Sequence, residues 1–181
     1  MSSKNKRLLQ RIRVPLGFLF AAIFLFFARP TAITLAIGGV IAAIGLLIRA
    51  WSSGHIRKNQ ELADSGPYAL TRNPLYLGSF VLGLGFTIAS GVWWLGLLFI
   101  ALFLGIYLPV MRVEAEELKE IFGEKYLEYE RKVPLFFPRP AAKFSENVKF
   151  DKNLYLRYRE YRAALGSLAA WLILVLKAYF L

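Results

Sequence analysis

The feature that most constrains this chain is the separation of its charged residues from its apolar ones. Four long runs contain no charged residue, and they cover residues 14–28, 31–48, 73–111 and 163–176. Hydrophobic residues make up 57% of the chain and charged residues 19%, whereas a soluble domain has about 45–50% and about 25%. An apolar surplus gathered into long runs indicates a membrane protein.

The longest run is too long for a single membrane crossing. As one helix, residues 73–111 would extend roughly 58 Å, against a hydrocarbon core of ~30 Å. We predict a turn at Ala89-Ser90-Gly91, since Gly permits positive φ and Ser competes with helical hydrogen bonds, and another at Arg29-Pro30. The sequence therefore predicts an all-α membrane bundle, a single domain over residues 1–181. Its five transmembrane helices are expected near residues 14–28, 31–51, 75–89, 92–111 and 163–181.

The distribution of Lys and Arg predicts the orientation of the bundle. With the N-terminus in the cytoplasm, 21 of the 23 basic residues and all 12 acids lie on the cytoplasmic side, as the positive-inside rule requires. Only Arg29 and Lys177 remain for the other side. Because the basic residues flank apolar runs, anionic lipid headgroups explain the net charge of +11, and we expect no nucleic-acid partner. Arg29-Pro30 also lacks the small residues of a signal-peptide cleavage site, so we interpret residues 14–28 as a membrane helix and not as a signal peptide.

Several kinds of chemistry are disfavoured by composition. The chain has no Cys and one His, so we expect no metal centre built on thiolates or clustered imidazoles. No acid lies within the apolar runs, which argues against an ion-coupled transporter. His55, four residues after Trp51, is either part of an interfacial packing pair or a catalytic group, and packing is the simpler interpretation. Gly78, Gly83 and Gly85 similarly indicate close helix packing or the approach of a ligand.

Two polar segments carry more pattern than a loop requires. In the first, Gly66-Pro67 predicts a turn, Asn73 a helix N-cap and Pro74 the first helical position. Arg72 adds positive charge to this helix start, whose free N–H groups favour an anion. In the second, Glu114 and Glu117 share one helical face while Glu116 points away. Acids so close to a membrane helix, in a basic neighbourhood, favour a cationic ligand over a merely solvated surface.

These segments resemble a known superfamily. The matching elements are Gly66-x-Tyr68, Arg72-Asn73-Pro74-x-Tyr76-x-Gly78, an uncharged hairpin, an acidic cluster, Phe122-Gly123-x-x-Tyr126-x-x-Tyr129 and Val133-Pro134. In this order they resemble the isoprenylcysteine carboxyl methyltransferases and phospholipid methyltransferases, integral membrane enzymes that use S-adenosylmethionine. The resemblance covers residues 62–134.

The resemblance implies a set of site residues. The cofactor, which leaves as S-adenosylhomocysteine, would be bound by Leu62, Tyr68, Asn73, Pro74, Leu75, Tyr76 and Glu114. Arg112 is the candidate for the family's substrate-side Arg. The residues themselves add two catalytic candidates, Arg72 at the helix start and Glu117, since Glu117 or Glu116 would be the base for an amine acceptor. Asn73 replaces the family's His and cannot take up a proton near neutral pH. The family's paired Glu-Glu becomes Glu114-Ala115, which leaves open whether Glu116 or Glu117 partners Glu114.

The predicted function follows from these residues. S-adenosylmethionine carries an ammonium, a carboxylate and a sulfonium, which suit an acid, a cation or helix start, and an aromatic ring. We expect the cofactor to enter from the cytoplasm and the methyl group to pass to a lipid or lipid-linked acceptor in the membrane. A prenylcysteine carboxylate, a phospholipid amine and another isoprenoid are all compatible. The alternative is a non-catalytic scaffold or lipid-binding protein that retains the fold, which Asn73 and Ala115 favour.

Overall fold

Helices form almost all of the regular structure in a computed structural model that describes residues 3–56, 61–139 and 150–180, with side chains from residue 15 onward. Within these ranges there is no strand, and the predicted all-α class is confirmed. A 3₁₀ turn, Gly66–Ala69, precedes the third helix. The helices are α1 Ser3–Phe27, α2 Ala32–Ser53, α3 Pro74–Ala89, α4 Trp93–Phe122, α5 Glu124–Lys132, α6 Lys152–Arg157 and α7 Tyr161–Phe180.

The five predicted spans all fall on helices, but the helices differ in length. In the described part of the chain, α2, α4 and α7 are long and apolar enough to cross a membrane. The apolar part of α1, Pro15–Phe27, and α3 are shorter. Helix α4 also continues past its predicted end near Met111, because no breaking residue occurs before Gly123, whose φ is +53°. This extension carries the acidic cluster out of the apolar run.

Both predicted turns are confirmed, and they lie side by side. Helix α2 begins after Thr31, whose hydroxyl accepts a hydrogen bond from the Thr34 N–H at 3.2 Å. Gly91 has a φ of +70°, the left-handed conformation for which Gly was expected there. The Arg29 N–H donates to the Ser90 carbonyl at 2.7 Å and joins the two turns.

Helix α2 lies centrally and packs most extensively against α3. A Cβ on Gly85 would lie 2.7 Å from the Gly38 carbonyl oxygen, and one on Gly78 would lie 2.9 Å from that of Gly45. Only glycine allows the two backbones to approach so closely. The packing interpretation of Gly78 and Gly85 is therefore correct.

The outer surface of the bundle is apolar, as a lipid environment requires. On α2, Ile33, Val40 and Leu47 are 72%, 63% and 69% exposed and recur every seven residues, so they form one outward stripe. Helix α7 packs on the bundle through Trp171, whose ring lies 5.3 Å from that of Phe86, and through the buried Leu174. At one end, the Lys177 ammonium donates to the carbonyls of Leu25 and Phe26, which are near the C-terminus of α1.

Candidate functional site

A cavity of about 910 Å³ lies where the extension of α4, helix α5, the 3₁₀ turn and the start of α3 meet. Nine of the ten residues predicted for the site line it. They are Leu62, Tyr68, Arg72, Asn73, Pro74, Leu75, Tyr76, Glu114 and Glu117. Arg112 is not among the lining residues and is exposed on α4. The structure therefore brings together all of the predicted cofactor-binding residues but leaves Arg112 outside.

Among the residues that the structure describes, the lining of the cavity has the opposite charge to the chain as a whole. Its acidic lining residues are Glu61, Glu114, Glu117, Glu120 and Glu160, whereas its basic ones are Arg49 and Arg72. The complete chain has a net charge of +11. A concave site with an excess of carboxylates raises the local concentration of cations.

Glu114 is held in place by the first turn of α3. The Tyr76 hydroxyl donates to Glu114 Oε1 at 2.9 Å, and the Tyr76 ring lies 5.3 Å from that of Tyr107. Glu116 faces away from the cavity and pairs with Lys119 at 3.0 Å. The prediction that Glu114 and Glu117 share a face from which Glu116 is excluded is therefore confirmed.

Tyr68 contributes a buried hydroxyl to the cavity. The side chain is 6% exposed, and its Oη has no hydrogen-bond partner among the described residues. The Tyr68 carbonyl accepts a hydrogen bond from the Tyr129 hydroxyl at 2.7 Å, which fixes the backbone. Burial, with smaller contributions from Tyr158 and Glu114, raises the pKa of the Tyr68 hydroxyl. Tyr68 therefore remains a protonated donor at neutral pH.

Asn73 stands at the N-cap position of α3, but its side chain does not cap the helix. The Asn73 amide instead donates to the Leu135 carbonyl at 2.9 Å. Leu135 belongs to the segment that follows α5. The next residue, Phe136, accepts a hydrogen bond at its carbonyl from the Thr71 hydroxyl at 2.8 Å. The prediction of a side-chain cap is therefore wrong, because the segment around Leu135 packs against residues 71–73 and its carbonyl binds the Asn73 amide. Pro74 does occupy the first helical turn, as predicted.

Arg72 lines the cavity but is bound to α5. Its Nη1 donates to Glu130 Oε1 at 2.6 Å and to the Tyr126 hydroxyl at 3.1 Å. Glu130 also pairs with Lys119 at 3.1 Å. Burial lowers the pKa of Arg72, but the bonds to Tyr126 and Glu130 raise it by more, so the net change is upward. The buried Nε has no hydrogen-bond partner among the described residues.

The structure adds cavity residues that the sequence interpretation missed. The sequence pattern assigns no role in the site to Arg49, Tyr158 or Glu160. Arg49 Nε donates to Glu160 Oε1 at 2.6 Å, and its Nη1 donates to the Ser79 hydroxyl. All four residues line the cavity. The available signal was the position of Arg49, the first charged residue after a long apolar run.

His55 does not line the cavity. It is 8% exposed, its Nδ1 lies 2.8 Å from the Trp51 carbonyl oxygen, and the two rings are 6.2 Å apart. These contacts favour the packing interpretation of His55 over a catalytic one.

The fold and the cavity describe a helical membrane protein with a polar site at one end of its bundle. The profile of the phospholipid methyltransferase family matches residues 32–125, more than half of the chain, and the chain belongs to that family of membrane methyltransferases. The match includes α2, the 3₁₀ turn, α3 and α4, which supply most of the cavity wall.

Two curated relatives carry names that refer to metal resistance. The chain is 36% identical over 136 residues to the cobalt-zinc-cadmium resistance protein CzcN of Cupriavidus metallidurans, covering 69% of this chain and 60% of that protein. It is 34% identical over 128 residues to the nickel-cobalt-cadmium resistance protein NccN of Alcaligenes xylosoxydans xylosoxydans, covering 65% and 57%. The matches thus span less than two thirds of either relative. No solved structure matches the chain significantly.

Proposed function

We propose that this protein is an S-adenosylmethionine-dependent methyltransferase that binds the cofactor in the cavity and methylates a lipid or lipid-linked acceptor. One observation carries the proposal. In a member of a methyltransferase family, the Glu114 carboxylate, the buried Tyr68 hydroxyl and the start of α3 line a single cavity beside membrane helices.

The residues present fit the charges of the cofactor. Glu114 suits its ammonium group, and the hydroxyl of Tyr68 together with the start of α3 suits its carboxylate. The rings of Tyr76 and Tyr107 suit the sulfonium, since an aromatic face attracts a cation. The cavity volume of about 910 Å³ is within the range of ~300–1,000 Å³ that is usual for small-molecule sites.

The chemistry asks little of the protein beyond alignment. The cofactor supplies a methyl carbon that is already activated, so the reaction needs neither a metal nor a covalent enzyme intermediate. The bond from Tyr76 to Glu114 keeps the carboxylate in one orientation. The side chains of Leu62, Met111 and Ala115 form an apolar part of the wall that excludes water. If the acceptor is an amine, Glu117 is the proposed proton acceptor.

The membrane end of the cavity supports a lipid acceptor. Ser79, Tyr107 and Met111 line it, and all three belong to the uncharged run 73–111. The cavity therefore extends from the polar loops to the depth at which a lipid headgroup lies. We place this end of the bundle, with the N-terminus, on the cytoplasmic side because the basic residues concentrate there.

Thermal unfolding of the purified protein in detergent tests cofactor binding. Saturating S-adenosylmethionine should raise the melting temperature, since a ligand present at 100 times its Kd stabilises the folded state by about 2.7 kcal/mol. Tyr68→Phe and Glu114→Gln should each weaken binding about tenfold, the loss of one strong hydrogen bond. Glu116→Gln, on the opposite face of the same helix, is the matched control and should change the affinity less than about twofold.

The scaffold alternative makes a different prediction. It is favoured by Asn73, whose amide is occupied by Leu135, and by the buried Ala115, because neither supplies a base. A scaffold without the cofactor site would show no thermal shift with S-adenosylmethionine or S-adenosylhomocysteine in any of several detergents. A scaffold that keeps the site would bind the cofactor yet transfer no label from methyl-labelled cofactor to total membrane lipid. Labelled lipid would exclude both forms.

A further inference from the structure

The connection between α6 and α7 carries a cluster of exposed basic side chains. Lys152 and Arg157 belong to α6, Arg159 lies between the two helices, and Arg162 lies in the first turn of α7. All four are exposed, and none of them forms an ion pair with another described residue. We call these four residues the basic patch.

The two acids of the same segment do not neutralise the basic patch. Asp151 Oδ1 accepts a hydrogen bond from the Asn153 N–H at 2.8 Å and so caps α6. Glu160 Oε1 accepts a bond from Arg49 Nε at 2.6 Å, and both of these side chains line the cavity. Within the described part of the chain, the positive charge of the basic patch is therefore uncompensated.

The basic patch lies at a membrane boundary. Helix α7 has 20 residues, Tyr161–Phe180, and so extends ~30 Å, the thickness of a hydrocarbon core. The patch is at its first turn. Three exposed apolar or aromatic side chains accompany the basic ones, with exposures of 48% for Phe150, 48% for Leu156 and 38% for Tyr161. Such a mixture is typical of a protein surface among lipid headgroups.

The backbone at Arg159 gives a second, independent observation. Its φ is +55°, and no other non-glycine residue among those described has a positive φ. This left-handed conformation is unfavourable for a residue with a Cβ and is free of strain for glycine. Because folding alone would favour glycine at this position, the exposed guanidinium indicates a role outside the fold.

We propose that the basic patch binds the phosphate headgroups of anionic membrane lipids at the edge of the bundle. Guanidinium groups bind phosphate oxygens through charge-assisted and often paired hydrogen bonds. The acyl chains continue along α7, on which Leu165, Leu168 and Leu172 are 60%, 58% and 55% exposed and share one face. The commitment to a lipid rests on this continuity between the charged patch and the apolar face.

The proposed lipid site lies outside the cavity and on the other side of its wall. None of the four patch residues is among the described lining residues, whereas Tyr158 and Glu160 of the same segment are. A headgroup bound to Arg157 and Arg159 would therefore hold the segment that carries Tyr158 and Glu160 into the cavity. The inference concerns a lipid that is bound and not methylated, and it does not depend on the proposed function.

The test measures binding of a phosphatidylglycerol labelled in its acyl chain to the full chain in mixed micelles. Phosphatidylcholine with the same label is the comparison without net charge and should bind more weakly. Each basic residue beside an anionic surface contributes a factor of about five in affinity. The double variant Arg157→Gln/Arg162→Gln should therefore bind phosphatidylglycerol about 25-fold more weakly. Binding to wild type should also weaken as the salt concentration rises.

The matched control removes the same charge elsewhere. Arg131 and Lys132 are exposed bases in the last turn of α5. The double variant Arg131→Gln/Lys132→Gln should change the affinity for phosphatidylglycerol less than about twofold, because its charges lie outside the patch. An equal loss in the two double variants would show that net charge alone attracts the lipid and would overturn the inference.

Arg159→Gly protects the test against misfolding. It removes one charge of the patch and also the unfavourable left-handed conformation, so the melting temperature should not fall. Its affinity for phosphatidylglycerol should fall about fivefold, while the thermal shift with S-adenosylmethionine stays that of wild type. Unchanged affinity for phosphatidylglycerol in this variant would contradict the inference.

Two further outcomes would overturn it. Equal binding of phosphatidylcholine and phosphatidylglycerol to wild type would show that the patch does not recognise anionic charge. Displacement of the labelled lipid by an equal concentration of soluble glycerol phosphate would show that the patch binds a free anion and that a lipid is not its occupant.

Discussion

The two arginines of the cavity occupy contrasting environments. Arg72 is bonded to Glu130 and Tyr126 of α5, lies 5.9 Å from the centre of the Tyr126 ring, and shares Glu130 with Lys119. Arg49 has one acid and one hydroxyl as partners, Glu160 and Ser79. Each guanidinium has two hydrogen-bonded side chains, but the acid bound to Arg72 also binds a second cation, so Arg72 belongs to a larger network that helps to hold the fold.

The contrast changes the interpretation of the sequence pattern around Arg72. Its place before the Asn73-Pro74 helix start first suggests a ligand-binding charge. In the structure, the Arg72 side chain binds Tyr126 and Glu130 of α5 and so joins this helix to the segment before α3. Its backbone N–H also donates to the Pro134 carbonyl at 2.9 Å. The other basic side chain of the described lining, Arg49, comes from α2.

The largest expected effect is on stability, from Arg72→Gln. The substitution removes two bonds and leaves Glu130 with a single cation, so it should lower the free energy of unfolding by about 2–3 kcal/mol. Unfolding in detergent, followed by circular dichroism, measures this loss. Arg49→Gln should cost about 1–2 kcal/mol, because it removes one ion pair and one bond to Ser79 without breaking a shared network. Equal losses would remove the distinction between the two arginines.

Gly78→Ala should have the next largest effect on stability, because the added Cβ would lie against the side chain of Arg49. The added Cβ would lie 2.7 Å from Arg49 Cγ and 2.9 Å from the Gly45 carbonyl oxygen. Overpacking of this kind should cost about 2 kcal/mol and displace the Arg49 side chain. Gly105→Ala, where no atom lies within 4 Å of the added Cβ, is the matched control and should be neutral or stabilising. A loss no larger than that of Gly105→Ala would show that α2 and α3 have room to separate.

Tyr129→Phe should have a smaller effect at the Arg72 end. It removes the donor to the buried Tyr68 carbonyl and should cost about 1 kcal/mol. Because Tyr68 is then less well held, the affinity for S-adenosylmethionine should fall as well. Tyr161→Phe, at a tyrosine that is 38% exposed, is the control for thermal unfolding and for cofactor binding. Unchanged cofactor affinity in Tyr129→Phe would show that the hydrogen bond from α5 to Tyr68 is not needed for cofactor binding.

The smallest effect on stability is expected from a change of pH, which acts through the protonation of Glu130. Burial raises the pKa of Glu130, but the bonds to Lys119 and Arg72 lower it by more, so the folded-state pKa lies below its ordinary value of 4.5. A carboxyl group with a lowered pKa stabilises the fold above its ordinary pKa, and this contribution is lost as the pH falls through the folded-state value. Wild type should therefore lose stability below about pH 4.5, and Glu130→Gln should show a flatter profile in the same unfolding assay.

Much of the fold was predictable because its signals are local. The uncharged runs, the turn at Gly91 and the start of α3 at Pro74 each depend on neighbouring residues, and all are found in the structure. The positions of Glu114 and Glu117 relative to Glu116 follow from the helical period alone. Helix α4 continues to Phe122, beyond the predicted end of the membrane span, because the loss of apolar character at Arg112 does not itself break a helix.

The sequence by itself thus determined the class of protein, its turns and nine of the residues that line the cavity, since composition and period act over a few residues. Only the tertiary structure decided the partners of the polar side chains. Arg49 and Glu160 are 111 positions apart, Asn73 and Leu135 are 62 apart, and Arg72 and Glu130 are 58 apart. Such pairs form when packed helices bring distant segments together, because a partly buried polar group takes whichever partner the packing supplies.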